Sequence, residues 1–235
     1  MNDLFIKKAC YAPNFELHMQ ATCYAEGYIY FFGGKKGSKV TKDCSRYNIV
    51  TEEWRSLCPM RLGRFDCSAC SLSEYKIAVV GGESAKGKIL DLVEIFNSRD
   101  NSWESCHLKL KEPRKGVCLA QAQKDVLILA GGEGKYGAMQ ESEELDFLKK
   151  SSVQLTGMHV NRARTHSFVA NNIVYVFGGM EGVEKAGAPG EKFSIYQNKW
   201  ETIDTAEKKK KGALGQKEKQ VEFQLAECPA ALIYE

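Results

Sequence analysis

The chain has 235 residues, of which 43% are hydrophobic and 27% are charged. These proportions are those of an ordinary globular protein, and they exclude a disordered or fibrous chain. A formal net charge of +3 is also too small for a protein that coats nucleic acid or a membrane surface.

No part of the chain contains a long apolar segment. The longest apolar runs, such as Ile173–Phe177, are far shorter than the roughly 18 residues that a membrane span needs. Nine cysteines are scattered without the spacing of a disulfide framework, which favours a reducing compartment. We therefore expect a cytoplasmic protein that does not enter a membrane. Such a protein could also associate with the cytoskeleton.

Four short apolar runs predict buried β-strands, because each has four or five residues and is rich in β-branched and aromatic types. A pair of glycines follows each run directly. The runs are Tyr28–Phe32, Ile77–Val80, Val126–Ala130 and Ile173–Phe177, and the glycines are Gly33 with Gly34, Gly81 with Gly82, Gly131 with Gly132, and Gly178 with Gly179. The first glycines of successive pairs are 48, 50 and 47 residues apart, a period that is typical of repeat architectures.

Each of the three tryptophans lies at nearly the same distance from a glycine pair. Trp54, Trp103 and Trp200 follow the second glycine by 20, 21 and 21 residues, and the aromatic residues Tyr47, Phe96 and Phe193 stand seven positions before them. Polar turn formers separate each aromatic residue from its tryptophan. This arrangement predicts an outer β-hairpin in each of these repeats.

The third repeat departs from this pattern. The corresponding tryptophan position falls on Val153, and Leu145–Leu148 replaces a clearly placed aromatic residue. Tryptophan supplies a large apolar side chain that can fill the space between neighbouring sheets. We therefore expect the outer hairpin of the third repeat to be distorted or more weakly packed.

The repeated pattern resembles the kelch motif, in which a diglycine ends a strand and is followed by an aromatic residue and a tryptophan. The Met-x-x-x-Arg spacing of that family also occurs here, at Met60 with Arg64 and at Met158 with Arg162. The resemblance implies an all-β fold, a kelch-type β-propeller built from four-stranded antiparallel blades. We predict one domain over residues 1–235, with repeats at about 18–58, 59–107, 108–156 and 157–204.

The two ends of the chain, residues 1–17 and 205–235, resemble an incomplete further blade and a basic loop. Neither end contains the glycine pair that a complete blade needs. The sequence leaves open whether the ring is open or is completed by a partner or by a second copy. An unpaired sheet edge invites association, so we expect the isolated chain to self-associate or aggregate.

Three features resemble catalytic or metal-binding motifs, and each lacks a required element. Cys67 and Cys70 have no second cysteine pair nearby, and on an inner strand their side chains would point to opposite faces. The glycine-rich segment Gly131–Tyr136 lacks the spacing and the Ser or Thr of a phosphate-binding loop. The four histidines, His18, His107, His159 and His166, are not spaced as the ligands of a metal site usually are.

We therefore expect a non-enzymatic protein-interaction module with no catalytic residue, metal ion or cofactor. It would be a scaffold subunit of a large intracellular assembly, cytoskeletal or ciliary, or else a substrate-recognition platform. An enzyme with a metal ion in the central channel of the propeller is the alternative.

The kelch resemblance implies that partners bind to the face that carries the loops between strands 2 and 3 and the loops between blades. Basic residues of these loops, and of the C-terminal segment, form the predicted partner-binding set: Lys35, Lys36, Arg61, Arg64, Arg114, Arg162, Arg164, Lys208, Lys209, Lys210 and Lys211. They give the face a basic centre and predict a protein partner with an acidic surface. The third loop is acidic instead, through Glu133, Glu141, Glu143 and Glu144. Nucleic acid is disfavoured, because the lysine run has no aromatic residue for base stacking.

Overall fold

The computed structural model describes residues 16–179 and 189–203. These residues form four antiparallel sheets of four strands each, together with three short two-stranded pairs. The predicted all-β propeller fold is therefore confirmed, with one sheet for each blade. No helix in the described ranges is long and apolar enough to cross a membrane.

The strands are numbered in chain order. Blade 1 contains β1 (Ala21–Ala25), β2 (Tyr28–Phe32), the short strands β3 (Lys35–Lys36) and β4 (Lys39–Val40), and then β5 (Cys44–Asn48) and β6 (Trp54–Leu57). Blade 2 contains β7 (Arg64–Phe65), β8 (Ser68–Ser73), β9 (Lys76–Val80), β10 (Glu83–Ser84), β11 (Val93–Asn97) and β12 (Ser102–Glu104). Blade 3 contains β13 (Cys118–Gln123), β14 (Val126–Ala130), β15 (Glu133–Gly134), β16 (Gly137–Ala138), β17 (Ser142–Asp146) and β18 (Ser151–Leu155). Blade 4 contains β19 (His166–Ala170), β20 (Ile173–Phe177), β21 (Glu191–Ser194) and β22 (Lys199–Thr202).

In each blade the four long strands form an antiparallel meander. The first strands β1, β8, β13 and β19 lie beside one another in that order, on the inner side of the propeller. No hydrogen bond, ion pair or core cluster among residues 16–179 and 189–203 joins blade 4 to blade 1. The predicted further blade lies almost entirely outside the described residues, so self-association of the isolated chain stays a prediction.

The hydrophobic core lies between the blades, in three clusters of buried side chains. The second strands of blades 2 and 3 each contribute to two clusters, because successive residues of a strand point to opposite faces. In β9, Ile77 and Val79 pack between blades 1 and 2, whereas Ala78 and Val80 pack between blades 2 and 3. Burial on both faces explains why these strands are continuous apolar runs rather than alternating patterns.

The glycine pairs let neighbouring blades approach closely where these strands end. Gly33 and Gly34 have φ values of 64° and 102°, a conformation that favours glycine. A Cβ atom on Gly33 would also overlap the carbonyl oxygen of Arg64 in the following repeat. In the same way, a Cβ atom on Gly81 would overlap the carbonyl oxygen of Arg114, and one on Gly131 would overlap that of Arg162.

The two cysteines of the Cys-x-x-Cys segment pack in different places. Cys67 is buried in the cluster between blades 1 and 2, and Cys70 packs against the cluster between blades 2 and 3. Burial raises the pKa of Cys67 to about 11 and also raises the pKa of Cys70. Both thiols therefore belong to the core as small protonated side chains.

The outer hairpin of blade 3 is regular, so it is not distorted, whereas the alternative expectation of weaker packing stays a prediction. β17 and β18 pair over five residues in an unbroken register. Leu145 is fully buried at the position of the missing aromatic residue and lies opposite Ser152. Ser152, and not Val153, therefore occupies the tryptophan position.

Two of the three tryptophans donate hydrogen bonds to the preceding blade. The Nε1 atom of Trp103 donates to the carbonyl of Cys58 (2.9 Å), and that of Trp200 donates to the carbonyl of Thr156 (3.0 Å). The indole nitrogen of Trp54 is buried and has no hydrogen-bond partner among the described residues. Trp200 is buried as a whole residue, whereas Trp54 and Trp103 are half-buried.

Replacing Trp200 by phenylalanine should lower the free energy of unfolding by about 1 to 3 kcal/mol, because the carbonyl of Thr156 loses its donor. The matched change Trp54→Phe should cost less, since it removes an indole N–H that has no acceptor in the described part of the chain. Urea denaturation of both variants measures the difference. Equal losses in the two variants would contradict this account of the junctions.

Candidate interaction face

Two sets of loops form one face of the propeller: the loops between strands 2 and 3 of each blade, and the loops that lead to the next blade. Backbone hydrogen bonds hold the two sets together. The N–H of Met60 donates to the carbonyl of Lys42 (2.9 Å), and that of Arg64 donates to Thr41 (3.2 Å). The same pair of bonds recurs in the next two repeats. The loops therefore share one face, as the kelch resemblance implied.

Three arginines of the connecting loops lie inside the protein. The exposed fractions of Arg64, Arg114 and Arg162 are 0%, 1% and 1%. Each guanidinium group donates to the carbonyl of the first glycine of the pair that follows it, at 3.0, 3.2 and 3.3 Å respectively. The prediction that these three arginines contact a partner is therefore corrected, because their side chains are buried and already bonded within the fold.

A buried glutamate pairs with each of these arginines. Glu94, Glu143 and Glu191 lie on the third strands of blades 2, 3 and 4, at 30, 29 and 29 residues after their partners. The Nη2 atom of Arg162, for example, lies 2.8 Å from Oε1 of Glu191. Glu94 and Glu191 were not singled out from the sequence, and Glu143 was expected in an acidic loop. Their nearly constant distance from the arginine could have identified all three.

The acidic charge expected of the third loop is also corrected. Glu143 is fully buried on β17, where it pairs with Arg114. Burial lowers the pKa of Arg114, and the charge of Glu143 opposes this shift. Glu133 is engaged in a separate network of ion pairs. Of the expected acidic group, Glu141 and Glu144 alone form no ion pair with a described residue.

Blade 1 lacks the buried ion pair. The other blades carry the arginine four residues before their first strand, and in blade 1 this position is Leu17. The glutamate position on the third strand is occupied by Ser45, which pairs with Phe31 as Glu94 pairs with Val79. The Nε2 atom of Gln20 donates instead to the carbonyl of Gly33 (3.2 Å). Because both members of the pair are replaced together, no buried charge is left without a partner.

A network of ion pairs lies where the inner strands begin. Lys115 lies 2.6 Å from Glu83 and 3.3 Å from Glu133, and Arg164 lies 2.9 Å from Glu133 and 2.6 Å from Asp66. Two cations thus meet three carboxylates. The expectation of a basic centre is therefore corrected, and Arg164 is bonded to carboxylates of two other blades.

A basic groove lies further out on the face, between the loops of blades 1 and 2 that join strands 2 and 3. It encloses about 680 Å³. Four exposed lysines line it, Lys39, Lys42, Lys86 and Lys88, and Asp43 is the one carboxylate of the described lining. None of the four lysines forms an ion pair with any residue that the structure describes.

Lys39 and Lys42 belong to the same loop as the predicted residues Lys35 and Lys36, whereas Lys86 and Lys88 lie in a loop that the sequence analysis did not single out. Lys86 and Lys88 flank a glycine at the tip of the loop in the second repeat. The recurrence of lysines in the equivalent loops of the first two repeats was the signal that could have identified the groove.

Of the other predicted partner-binding residues, Lys35, Lys36 and Arg61 are exposed or half-buried. The Nζ atom of Lys35 lies 4.2 Å from the centre of the Phe65 ring, and Lys36 pairs with Glu16. Arg61 is exposed and donates to the outer strand β12. The remaining members lie outside the described residues: Lys208, Lys209, Lys210 and Lys211.

The histidines do not gather into a metal site. The Nδ1 atom of His159 lies 2.8 Å from Glu191, whose carboxylate also accepts from Arg162. Within the described ranges, no group of three or more His, Cys, Asp or Glu side chains is placed to hold a metal ion.

A family model described as the KLHDC2/KLHL20/DRC7 Kelch-repeats domain matches residues 18–218. The chain belongs to the kelch-repeat family. The glycine pairs of the four blades, and the aromatic–tryptophan pairs of blades 1, 2 and 4, are thus kelch-motif residues. Blade 3 is a kelch repeat with leucine and serine in place of the aromatic residue and the tryptophan.

This chain is similar to parts of larger kelch proteins. Kelch domain-containing protein 10 from Homo sapiens is 24% identical over 200 residues, which are 77% of this chain and 44% of that protein. Alpha-scruin from Limulus polyphemus is 27% identical over 121 residues, 47% of this chain and 13% of that protein. F-box/kelch-repeat protein SKIP11 from Arabidopsis thaliana is 33% identical over 89 residues, 38% of this chain and 18% of that protein. The chain therefore spans less than half the length of these relatives.

A solved structure supports the propeller arrangement. The structure of YjhT superposes with a TM-score of 0.68 at 16% sequence identity, over 79% of this chain and 70% of that chain. At this level of identity the likeness shows the fold alone.

Removing Arg162 alone should destabilise the protein strongly, because the buried carboxylate of Glu191 then loses its guanidinium partner and keeps its contacts with His159. We expect Arg162→Leu to lower the free energy of unfolding by about 3 to 5 kcal/mol. The double variant Arg162→Leu with Glu191→Ser copies the residues of blade 1 and should regain much of this loss. Urea denaturation measures both, and a double variant as unstable as the single one would argue against the ion-pair interpretation.

The ion-pair network should also make stability depend on pH. Burial by itself would raise the pKa of Glu133, but the hydrogen bond from Arg164 and the charge of Lys115 lower it below its ordinary value. A carboxylate of this kind stabilises the fold above its unfolded pKa of roughly 4.3, and the contribution is lost as pH falls through the folded value.

Glu133→Gln should therefore make the melting temperature fall less steeply between about pH 5 and pH 3. Glu141→Gln is the matched control, since Glu141 forms no ion pair with a described residue, and it should leave the slope unchanged. Thermal melts across this pH range measure the slopes. The same slope in the Glu133 variant and the parent would refute the role of the network.

Proposed function

We propose that this kelch protein is a non-enzymatic interaction module that holds an acidic segment of a partner protein in its basic groove. The observation that carries the proposal is the groove itself, where four exposed lysines without an ion pair in the described chain line one cavity. A cleft lined by charge of one sign attracts and concentrates ligands of the opposite sign.

The groove also has an apolar floor. Leu90 is buried, Leu62 is 39% exposed, and Val40 lies at the end of the β3–β4 hairpin that forms one wall. A partner segment that carries carboxylates next to one apolar side chain therefore fits the groove better than a uniformly charged surface. Buried apolar contact would provide affinity, and the lysines would provide orientation and a faster encounter.

Membership of the kelch family supports this role, because that family uses the same loop face for partners. A scaffold role in a cytoplasmic, cytoskeletal or ciliary assembly and a role as a substrate-recognition platform are finer proposals from the sequence. The contribution of Lys208–Lys211 is likewise a prediction. No observation on the described residues favours the alternative of an enzyme with a metal ion in its central channel.

A labelled polyglutamate peptide is a direct probe of the groove, and polyglutamine of the same length is its neutral control. Binding of polyglutamate to the full chain should weaken as salt rises from about 50 to about 300 mM. The double variant Lys86→Gln with Lys88→Gln should bind at least about fivefold more weakly at low salt and show a shallower salt dependence. Fluorescence anisotropy measures both effects.

A matched variant separates the groove from total charge. Arg55 and Lys124 are exposed, lie outside the groove and form no ion pair with a described residue. The double variant Arg55→Gln with Lys124→Gln should bind the peptide as the parent does. Equal weakening in both double variants, or binding that does not depend on salt, would refute the groove as the binding site.

A further inference from the structure

Two of the three junctions between described blades are closed by the same pair of hydrogen bonds, called here the clasp. At the junction of blades 1 and 2, Cys58 donates its N–H to Oδ1 of Asn101 (2.9 Å) and accepts from Nε1 of Trp103 (2.9 Å). At the junction of blades 3 and 4, Thr156 donates to an asparagine (3.1 Å) and accepts from Trp200 (3.0 Å). Each clasp fixes an indole between two blades.

The junction of blades 2 and 3 has no clasp. Lys150 and Ser152 occupy the asparagine and tryptophan positions of the outer hairpin. His107 is the equivalent of Cys58 and Thr156, since all three lie four residues after the tryptophan position. Neither the N–H nor the carbonyl of His107 has a hydrogen-bond partner among the described residues.

A cavity of about 240 Å³, called here the junction slot, opens at this unclasped junction. Leu72, Ile95 and Leu108 are buried and form an apolar floor, and Phe147 packs against the same core cluster from the side. Leu148 lies at the opening and is 75% exposed. The slot is therefore an apolar pocket that reaches the outer surface of the propeller.

The rim of the junction slot has no excess of either charge. Lys76 pairs with Glu104 at 2.8 Å, and Lys150 and Asp125 complete the charged part of the lining. An occupant would therefore be selected by apolar area and by hydrogen bonding to the free backbone groups, and not by charge.

We propose that the junction slot is the docking site for an indole side chain of a partner protein. The two clasps are the template, because each holds an indole against the core with a backbone carbonyl as acceptor. The indole of the partner would donate in the same way to the carbonyl of His107. A dry apolar cavity of roughly 150 Å³ is enough to hold benzene, so the slot has room for the larger bicyclic ring. Tryptophan is also among the residues that most often anchor an interface.

The junction slot rests on the interaction function proposed above, but it uses residues that lie outside the basic groove. Its occupant is apolar and uncharged, whereas the occupant of the groove is acidic. The two sites can therefore be tested with different probes on the same protein.

5-Fluoroindole is the probe, and its ¹⁹F NMR signal reports binding to the full chain. We expect saturable binding, with changes of amide chemical shift centred on His107 and Leu148. The N-methylated probe cannot donate to a carbonyl and should bind at least about threefold more weakly. Absence of saturable binding, or shift changes centred on Trp54 or on the loop face, would overturn the proposal.

Ser152→Trp places an indole of the chain itself at the clasp position. It should weaken probe binding at least about tenfold, since the new indole occupies the space beside the carbonyl of His107. The variant also loses the hydrogen bond that the Ser152 hydroxyl donates to the buried carboxylate of Glu143, so its melting temperature is not used as a readout. Val153→Trp is the matched control: Val153 is 50% exposed on the opposite face of β18, and its variant should bind the probe as the parent does. Parent-like binding to a folded Ser152→Trp variant would overturn the proposal. The Lys86, Lys88 variant should bind 5-fluoroindole normally, so a failure of one site is distinguishable from a failure of the other.

Discussion

The buried arginine of the connecting loop is the residue on which the joining of the blades depends. The carbonyl of Arg64 accepts from the N–H of Gly34 in blade 1 (2.9 Å), while its guanidinium group donates to Gly81 and pairs with Glu94 in blade 2. One residue thus links the glycine pairs of two blades, and the arrangement recurs at the next two junctions. Its loss would leave a buried carboxylate and buried carbonyl groups without partners, which is far more costly than loss of an exposed contact.

This use of arginine decides where partners can bind. The connecting loops are rich in basic residues, but Arg64, Arg114 and Arg162 are paired with glutamates inside the fold. The ion-pair network at the inner strands contains more carboxylates than cations. Free positive charge is left at the tips of the loops between strands 2 and 3, where lysines project into solvent. The interior of the face therefore holds the blades together, and its periphery is available for recognition.

Much of the architecture could be predicted from the sequence, because each central strand is a continuous apolar run that ends at a glycine pair. Burial of the arginines could not be predicted from a basic loop alone, since the neutralising glutamate lies on a strand about 30 residues later. The basic groove could not be predicted either, because it is formed by two loops that are distant in the chain. The predicted tryptophan position of the third repeat, Val153, was wrong by one residue. It had been counted from the glycine pair, whereas the position is set by cross-strand pairing with Leu145, which lies opposite Ser152.

The clasp has a direction: the tryptophan of a later blade always donates to a carbonyl of the earlier blade. The indole nitrogen of Trp54 in blade 1 is also buried, and it has no acceptor among the described residues. A two-fold contact between two copies of blade 1 would bring two such donors together and satisfy neither. A head-to-tail contact would supply the missing carbonyl. A contact that extends the propeller at this side and supplies such a carbonyl would be heterologous, and by symmetry it would close into a ring or continue as a filament.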